Sequence, residues 1–335
     1  MPATRLSDLS EADLLARLFP VYAGAKGAHA DVVVGPGDDA AVLVAPGGSV
    51  VLTTDTMVRG RDWRDDWSSP HEVGHKVVVQ NLADIAAMGA TPTGLLVALA
   101  ADPATEVDWA LGLAEGIAEA AREASAPVLG GDLSSAASGA VMVAITAIGD
   151  LGGRTAVRRD GARPGDVVTV RGTLGRSGGG LQLLLAGRGR THDAAAPAAA
   201  DRAVHDLCLT HRTAGRPPWE QGPLAADAGA TSMIDLSDGL VRDLGRIARA
   251  SGVRVELDGE ALREHAAGPL TEALGPDEAM RQVLSGGEEH SLLATFAPGD
   301  VPAGWQLLGR CTAGEPAVLV DGVVPEITGW DHFRG

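Results

Sequence analysis

Cysteine is nearly absent from this 335-residue chain, with Cys208 and Cys311 its only two. A disulfide framework and a cysteine-rich zinc site are thereby excluded, and a reducing, cytoplasmic setting is expected. Aromatic residues are scarce too, at one Tyr, three Phe and six Trp, too few for the stacking platforms that bind single-stranded nucleic acid. Basic charge is outnumbered: 27 Lys and Arg against 44 Asp and Glu leave a net charge of −17, which repels phosphate backbones and anionic membrane surfaces. Apolar windows such as Gly94 to Ala101 fall far short of the ~20 residues of a membrane-spanning helix. Neither nucleic acid nor membrane is expected as a partner. Lysine is confined to Lys26 and Lys76, and neither follows the glycine spacing of a Walker A loop, so any nucleotide chemistry is not of the P-loop kind. Serine-hydrolase chemistry is not expected, and the histidines at 71, 75, 205, 211 and 290 are set aside as a zinc-hydrolase set.

What is present is a globular composition, 45 % hydrophobic and 21 % charged, long enough for about two domains at roughly 150 residues each. Ser10-Glu11-Ala12-Asp13 opens a short helix that ends near Pro20. Three β-rich runs follow, Asp31 to Val34, Ala41 to Val44 and Val50 to Thr54, separated by Gly-Pro-Gly and Pro-Gly-Gly. Ser69-Pro70-His71-Glu72 combines an N-cap, a first-position proline and an acid at N3, and predicts a long helix up to the stop at Gly89. A second helix is expected from Thr105 to about Ala124, then strands at Pro127 to Leu129 and Ala140 to Ile148. A boundary near residue 150 separates an N-terminal α/β domain, 1–150, from a C-terminal one, 151–335. In the latter, Val167 to Arg171 reads as a strand and Leu181 to Ala186 as a helix. The glycine-rich stretch Gly172 to Gly180 reads either as a loop offering N–H groups to an anion or as a tight packing element.

Gly35-Pro36-Gly37-Asp38-Asp39-Ala40 fits a dinucleotide-binding pattern, but two carboxylates in the loop would repel a pyrophosphate, and a strand rather than a helix follows. The acids are more informative as a set. Asp38, Asp39, Asp55, Asp84, Asp132, Asp235 and Asp238 lie at strand ends or in otherwise apolar sequence. Asp84 interrupts Leu82-Ala83-Asp84-Ile85-Ala86, where a bare carboxylate is costly unless paired or bound to a cation. Taken singly, Asp84 reads as a helix-face or capping acid, and Asp235 or Asp238 as the N-cap of a helix running through Ala250. Together, so many hard oxygen donors suit Mg²⁺, which would let an acidic protein hold an anionic nucleotide.

Seven segments, in order along nearly the whole chain, resemble the thiamine-monophosphate kinase family of the aminoimidazole-ribonucleotide-synthetase-like superfamily. They are Gly37-Asp38-Asp39-Ala40, Thr53-Thr54-Asp55-Thr56, Asn81 to Ala90, Gly130-Gly131-Asp132, Ile234 to Leu240, Ser285-Gly286-Gly287-Glu288 and Gly329-Trp330-Asp331-His332-Phe333. The resemblance implies a two-domain α/β fold, with N-terminal strands forming a barrel across a homodimer. The first domain would serve dimerisation, ATP and magnesium, and the second nucleotide and substrate contacts. It implies magnesium positions at Asp39, Thr53, Thr54, Asp55, Asp84, Asp132, Asp235 and Asp238. ATP contacts are implied at Gly131, Asp132, Arg159 and Ser237, and acceptor contacts at Asp62, Glu288 and Trp330. The reaction implied is phosphorylation of thiamine monophosphate to thiamine diphosphate by direct in-line transfer without a phosphoenzyme.

Two departures bear on the acceptor. The family commonly has Gly-Asn-His-Phe where this chain has Gly60-Arg61-Asp62-Trp63, and Asp-Tyr-Glu where it has Glu289-His290-Ser291. An acid beside an incoming phosphate calls for compensation by a neighbouring arginine, Arg59, Arg61 or Arg64. Two competing readings are another ATP-using member of the superfamily, such as a selenophosphate synthetase-like enzyme or an amidine-forming ligase, and a non-catalytic nucleotide-binding partner. The synthetase normally carries a reactive cysteine near the N-terminus, and none precedes Cys208.

Overall fold

Alternation along Val50–Val58 sets the first sheet: its odd-numbered side chains at 51, 53, 55 and 57 are covered while its even-numbered ones are exposed, the period of a strand with one face packed. In this computed structural model, residues 48–189 and 201–326 are described without a break, together with 5, 8, 14, 17, 18, 20–22, 32–34, 42–44 and 329. The chain divides into two units, one of residues 1–85 and 91–153 and the other of 86–90 and 154–335.

In the first unit, β1 (Val32–Val34) pairs antiparallel with β2 (Val42–Leu43). The loop between them, with Asp39 and the dinucleotide-like pattern, lies outside the described residues, and a strand does follow it. The main sheet has the order β3-β6-β4-β5, from β3 (Val50–Val58), β4 (Thr91–Ala101), β5 (Val128–Ser135) and β6 (Val141–Asp150). β6 is antiparallel to both β3 and β4, whereas β5 is parallel to β4. Parallel pairing needs a crossover, and α2 (Val107–Glu123) supplies it. α1 (Pro70–Ala87) starts as its sequence predicts: the Glu72 carboxylate accepts from the Ser69 amide at 2.8 Å, while the Glu72 amide donates to the Ser69 hydroxyl at 3.3 Å. Val77, Val78, Leu82 and Ile85 are fully buried along it. The N-terminal helix prediction falls mostly outside the described residues, but Leu14 and Leu18 pack against Val107 and Ala114, and helical geometry continues at residues 20–22 rather than stopping at Pro20.

The second unit holds a six-stranded sheet of order β12-β9-β11-β7-β10-β8. β7 (Val167–Arg171), β8 (Ser232–Asp235) and β10 (Leu292–Phe296) form one end, and β11 (Gln306–Thr312), β9 (Arg254–Leu257) and β12 (Ala317–Val320) the other. All five residues of β10 are buried, so this strand is covered on both faces.

The glycine-rich stretch is where loop and helix trade places. α3 spans Arg176–Leu185 and includes Gly178, Gly179 and Gly180, residues expected to precede the helix. Packing overrides their poor helix propensity: a Cβ on Gly180 would lie 2.1 Å from the Leu207 carbonyl oxygen of α4 (Arg202–Thr213), and one on Gly178 would lie 2.6 Å from Gly286 Cα. Only glycine permits that approach. The alanine-rich segment 191–200 lies outside the described residues.

Candidate active site

Strand β3 and helix α1 bring the first group of acids together. With period two, Thr53 and Asp55 share the face that meets α1. The Thr53 hydroxyl donates to Asp84 Oδ2 at 2.7 Å, and the Asp55 amide donates to Asn81 Oδ1 at 3.0 Å. Asn81 is buried, its Nδ2 donating to the Val77 carbonyl at 2.7 Å. Asp84 is thus neither an exposed helix-face acid nor a cap; it stands half-buried one turn beyond Asn81, beside a hydroxyl and near a second carboxylate-bearing strand position. Thr54 points the other way, donating to the Ile145 carbonyl and accepting from Thr146 at 3.2 Å.

Asp132 is exposed on the edge strand β5, accepting from Ser134 Oγ at 2.9 Å. By register it belongs to the row of Ala98, Ala144 and Thr56, the sheet face shared with Thr54 and opposite Thr53. Gly131 before it runs so close to β4 that a Cβ there would lie 1.7 Å from the Val97 carbonyl oxygen.

Asp62 closes a turn: its Oδ2 accepts from the Val58 amide at 2.7 Å, and the Arg61 and Asp62 amides return to the Val58 carbonyl at 3.0 Å each. Of the flanking arginines, Arg59 pairs with Asp65 at 3.2 Å and lies 5.2 Å from the Trp109 ring, and Arg64 pairs with Asp66 while stacking 4.6 Å from Trp67. Arg61 is exposed.

In the second unit, two loops interlock at the ends of β8 and β10. The Glu288 amide donates to Ser237 O at 2.7 Å, the His290 amide to Leu236 O at 2.8 Å, and the Leu236 amide to Ser291 O at 2.8 Å. Glu288 and His290 adopt φ of 57° and 55°, a left-handed backbone that costs about 1 kcal/mol or more outside glycine and persists where surroundings impose it. Around this clasp lie the predicted residues Asp235, Ser237, Asp238 and Glu288. Asp235 is buried against His290 Nδ1 at 3.3 Å. Asp238 pairs with Arg246, and Arg242 Nε stands 3.7 Å away. Glu288 lies 3.4 Å from His211 Nδ1, which also meets the Ser177 hydroxyl at 3.2 Å.

Neither Asp235 nor Asp238 caps the following helix, α5 (Leu240–Ser251). Asp243, absent from the sequence-predicted set, does so from the first turn: its Oδ2 accepts the amides of Ser237, Asp238 and Gly239 at 3.1, 2.9 and 3.2 Å, and its Oδ1 pairs with Arg246 at 2.5 Å. Burial, reinforced by the charge of Asp235, pushes its carboxyl up to about 7. An acid in the first helical turn after Ser-Asp-Gly was the signal available. Glu289 likewise answers the anion-binding reading of the glycine stretch with an anion of the chain's own. Its carboxylate accepts from the Thr173 hydroxyl and, at 2.8 Å, from the Ser177 amide at the start of α3. Burial raises its proton affinity against those bonds.

Arg159 is exposed on a loop whose backbone is tied down: Ser251 Oγ donates to Arg159 O at 2.8 Å and accepts from the Ala162 amide at 3.1 Å. Trp330 lies outside the described residues. Among the described residues no helix is long and apolar enough to cross a membrane.

His71-Glu72-Val73-Gly74-His75 on α1 has the H-E-x-x-H spacing of a helical zinc site, contrary to the expectation that these two histidines lack metal-ligand spacing. The hydrolase part of that pattern does not hold, because Glu72 is the N-terminal cap described above.

Comparison with known proteins places residues 37–151 in the family of AIR synthase related protein, N-terminal domain. The thiamine-monophosphate kinase of Mycobacterium tuberculosis is 42 % identical over 309 residues, covering 91 % of this chain and 87 % of its own. The crystal structure of thiamine-monophosphate kinase from Stenotrophomonas maltophilia K279a matches with a TM-score of 0.78 at 30 % identity, over 95 % of this chain and 98 % of that one. AaThiL complexed with AMPPCP and TMP matches with a TM-score of 0.73 at 29 % identity, covering 88 % and 91 %.

Proposed function

The chain belongs to the thiamine-monophosphate kinase family, and from that premise we infer how its residues divide the work. It is a thiamine-phosphate kinase: ATP is the co-substrate, and its terminal phosphoryl group passes to thiamine monophosphate, giving thiamine diphosphate. The observation that carries the finer reading is the pairing of Thr53 with Asp84 beside Asp55 and Asn81.

That donor set is all oxygen at its approachable positions, which is the chemistry Mg²⁺ selects. Asp55, Asp84 and Thr53 would hold ions on the covered face, and Thr54 and Asp132 on the other face of the same sheet, with Asp39, Asp235 and Asp238 completing the set. Bound there, Mg²⁺ would neutralise the phosphate charge that a protein of charge −17 otherwise repels. Thr53 orients the Asp84 carboxylate, and Asn81 fixes the β3 backbone against α1, so the carboxylates are preorganised rather than recruited. The acceptor is already a phosphate monoester, largely ionised at neutral pH, so no strong base is required and transfer is direct and in line.

Gly131, Asp132, Arg159 and Ser237 contact the nucleotide in this reading. Glycine at 131 lets the β5 backbone run close against Val97 of β4, which fixes the position of Asp132 beside it, and the tied loop presents Arg159 to solvent. Glu288 and Trp330 contact the acceptor, and Asp62 serves it by holding the turn that carries Arg61, with residues 1–150 serving dimerisation, ATP and magnesium and 151–335 nucleotide and substrate. The exposed apolar sheet face, including Leu52 at 62 %, Val50 at 49 % and Met142 at 43 % exposure, is assigned to a second copy of the chain, whose matching face would close a barrel. The setting is the cytoplasm.

The test is product analysis. Purified protein with ATP, Mg²⁺ and thiamine monophosphate should yield ADP and thiamine diphosphate in equal amounts, and none in excess chelator. ADP without thiamine diphosphate would assign the site to another acceptor.

A further inference from the structure

Away from the carboxylates of β3, the two helices of the first unit carry a second cluster of metal-ligating side chains. His71 and His75, four residues apart, stand one above the other on α1. Glu119 and Glu123, also four apart, stand likewise on α2. His71 Nε2 lies 3.1 Å from Glu119 Oε2, and ligand atoms of His75, Glu119 and Glu123 all lie within 4.8 Å of one another. The helices are brought together by glycine: a Cβ on Gly116 would lie 1.9 Å from the His71 carbonyl oxygen, and one on Gly74 would lie 2.1 Å from that of Leu113. Backbones touch there, so the imidazoles and carboxylates converge across the seam instead of reaching past each other.

We propose that His75, Glu119 and Glu123, with His71 at their border, form a Zn²⁺ site that fastens α1 to α2. Imidazole nitrogen beside carboxylate oxygen suits zinc rather than Mg²⁺, which takes oxygen donors. Two glutamates neutralise the ion's charge. Zinc bonds of about 2.0–2.2 Å require donors drawn in to about 3.4 Å from one another. The glutamates are the groups able to make that adjustment, since Glu119 is partly exposed and Glu123 exposed, while His75 is 9 % exposed and fixed by its surroundings. The Glu of H-E-x-x-H is occupied in the helix cap, so the site binds metal without the general base of a hydrolase. Nine residues separate His75 from Asp84, about 13 Å along a helix. One ion therefore cannot serve both places, and the site is independent of the kinase reading.

The full chain, stripped of metal and kept in millimolar Mg²⁺ to fill all-oxygen sites, would be titrated with Zn²⁺ against a chromophoric chelator. One tight equivalent is expected in the wild type and in Asp84→Asn, weakened at least about 100-fold in His75→Gln and in Glu123→Gln. Because Glu123 is exposed, its variant keeps the fold even if the His75 variant does not; circular dichroism checks both. Co²⁺ in place of Zn²⁺ should give visible bands of four-coordinate metal that vanish with Glu123→Gln. Unchanged zinc affinity in Glu123→Gln overturns the proposal, as does loss of zinc in Asp84→Asn alone, which would assign the ion to the β3 carboxylates. Absence of any tight equivalent reduces the four groups to an ion-pair network.

Discussion

The two sheets of this protein use their faces differently. In the six-stranded sheet, β10 is buried at every residue, and the loops at its end are held by amide-to-carbonyl bonds and by Asp243 gathering three amides. In the four-stranded sheet, β3 is covered on one face and exposed on the other. The covered face carries Thr53 and Asp55 toward Asn81 and Asp84; the exposed one carries Val50, Leu52 and Val58. A strand covered on both faces, such as β10, needs no further partner there, although β11 at the other end of that sheet leaves Leu307 exposed; a sheet with one broad apolar face open is an incomplete core. The β8–β10 end of the second unit thus reads as a finished scaffold for loops, and the first unit as a half-structure with Thr53, Asp55 and Asp84 on its covered face and an open face, edged by Asp132, that expects a partner.

Removing a carboxylate from the covered face would strain that distinction most. Asp84→Asn should lower kcat by about 10²–10³-fold, the scale of losing one electrostatic stabiliser of the transition state, while the thermal midpoint moves little because Asp84 is only half-buried. Steady-state kinetics and calorimetry on one preparation decide it; a variant that loses stability but keeps its rate would make Asp84 part of the scaffold. Next comes the open face. Leu52→Asp puts a charge where an apolar contact is expected, and should convert a dimer to monomer in sedimentation at micromolar concentration. A wild type that is already monomeric would leave the exposed face unexplained and remove the contrast between the sheets.

Local rules carried much of the fold into the sequence, and long-range packing accounts for what they missed. Ser69-Pro70-His71-Glu72 announces α1 because a capping box is a contact between residues three apart. Val167–Arg171 was legible as a strand for similar reasons, flanked by turn residues. Gly178 to Gly180 were read as preceding α3 because their helical state depends on Leu207 and Gly286, distant in the chain. The acids at 55, 84, 235 and 238 stood out as charge in apolar surroundings. Asp243, Arg246 and His211 did not, since a charged residue on a polar-looking helix gives no sign that it is buried or shared between loops.

The closed unit makes its own prediction, in pH. Asp243 ionises at about 7 in the folded protein against an ordinary 3.8. The folded chain therefore holds a proton that the unfolded chain has lost between those values. Stability contributed by this group is full below pH 4, falls as pH rises toward 7 and levels off above it, a change on the order of 4 kcal/mol. Urea unfolding in chelator should show that decline, and Asp243→Asn should flatten it. A decline of equal slope in the variant would move its origin to another buried acid such as Glu289.

The smallest effect concerns Asp62, where this chain departs from its relatives beside the open sheet. The carboxylate's bond to the Val58 amide closes the turn at the end of β3, so removing it exposes one amide and loosens a turn without opening the core. A net hydrogen bond to a charged acceptor at a surface turn contributes about 1 kcal/mol. Asp62→Asn retains an acceptor and should cost less than Asp62→Ala. Arg59 and Arg64 are already engaged with Asp65 and Asp66, which leaves Arg61, exposed at the tip of this turn, as the guanidinium best placed to meet an incoming phosphate. A loosened turn displaces Arg61, so Asp62→Ala and Arg61→Ala should both raise the KM for thiamine monophosphate several-fold while that for ATP stays constant, and Asp62→Asn should leave both near wild type. If instead Asp62→Asn lowers the thiamine monophosphate KM by itself, the negative charge acts directly on the acceptor phosphate, and the turn is a substrate contact rather than a support for one.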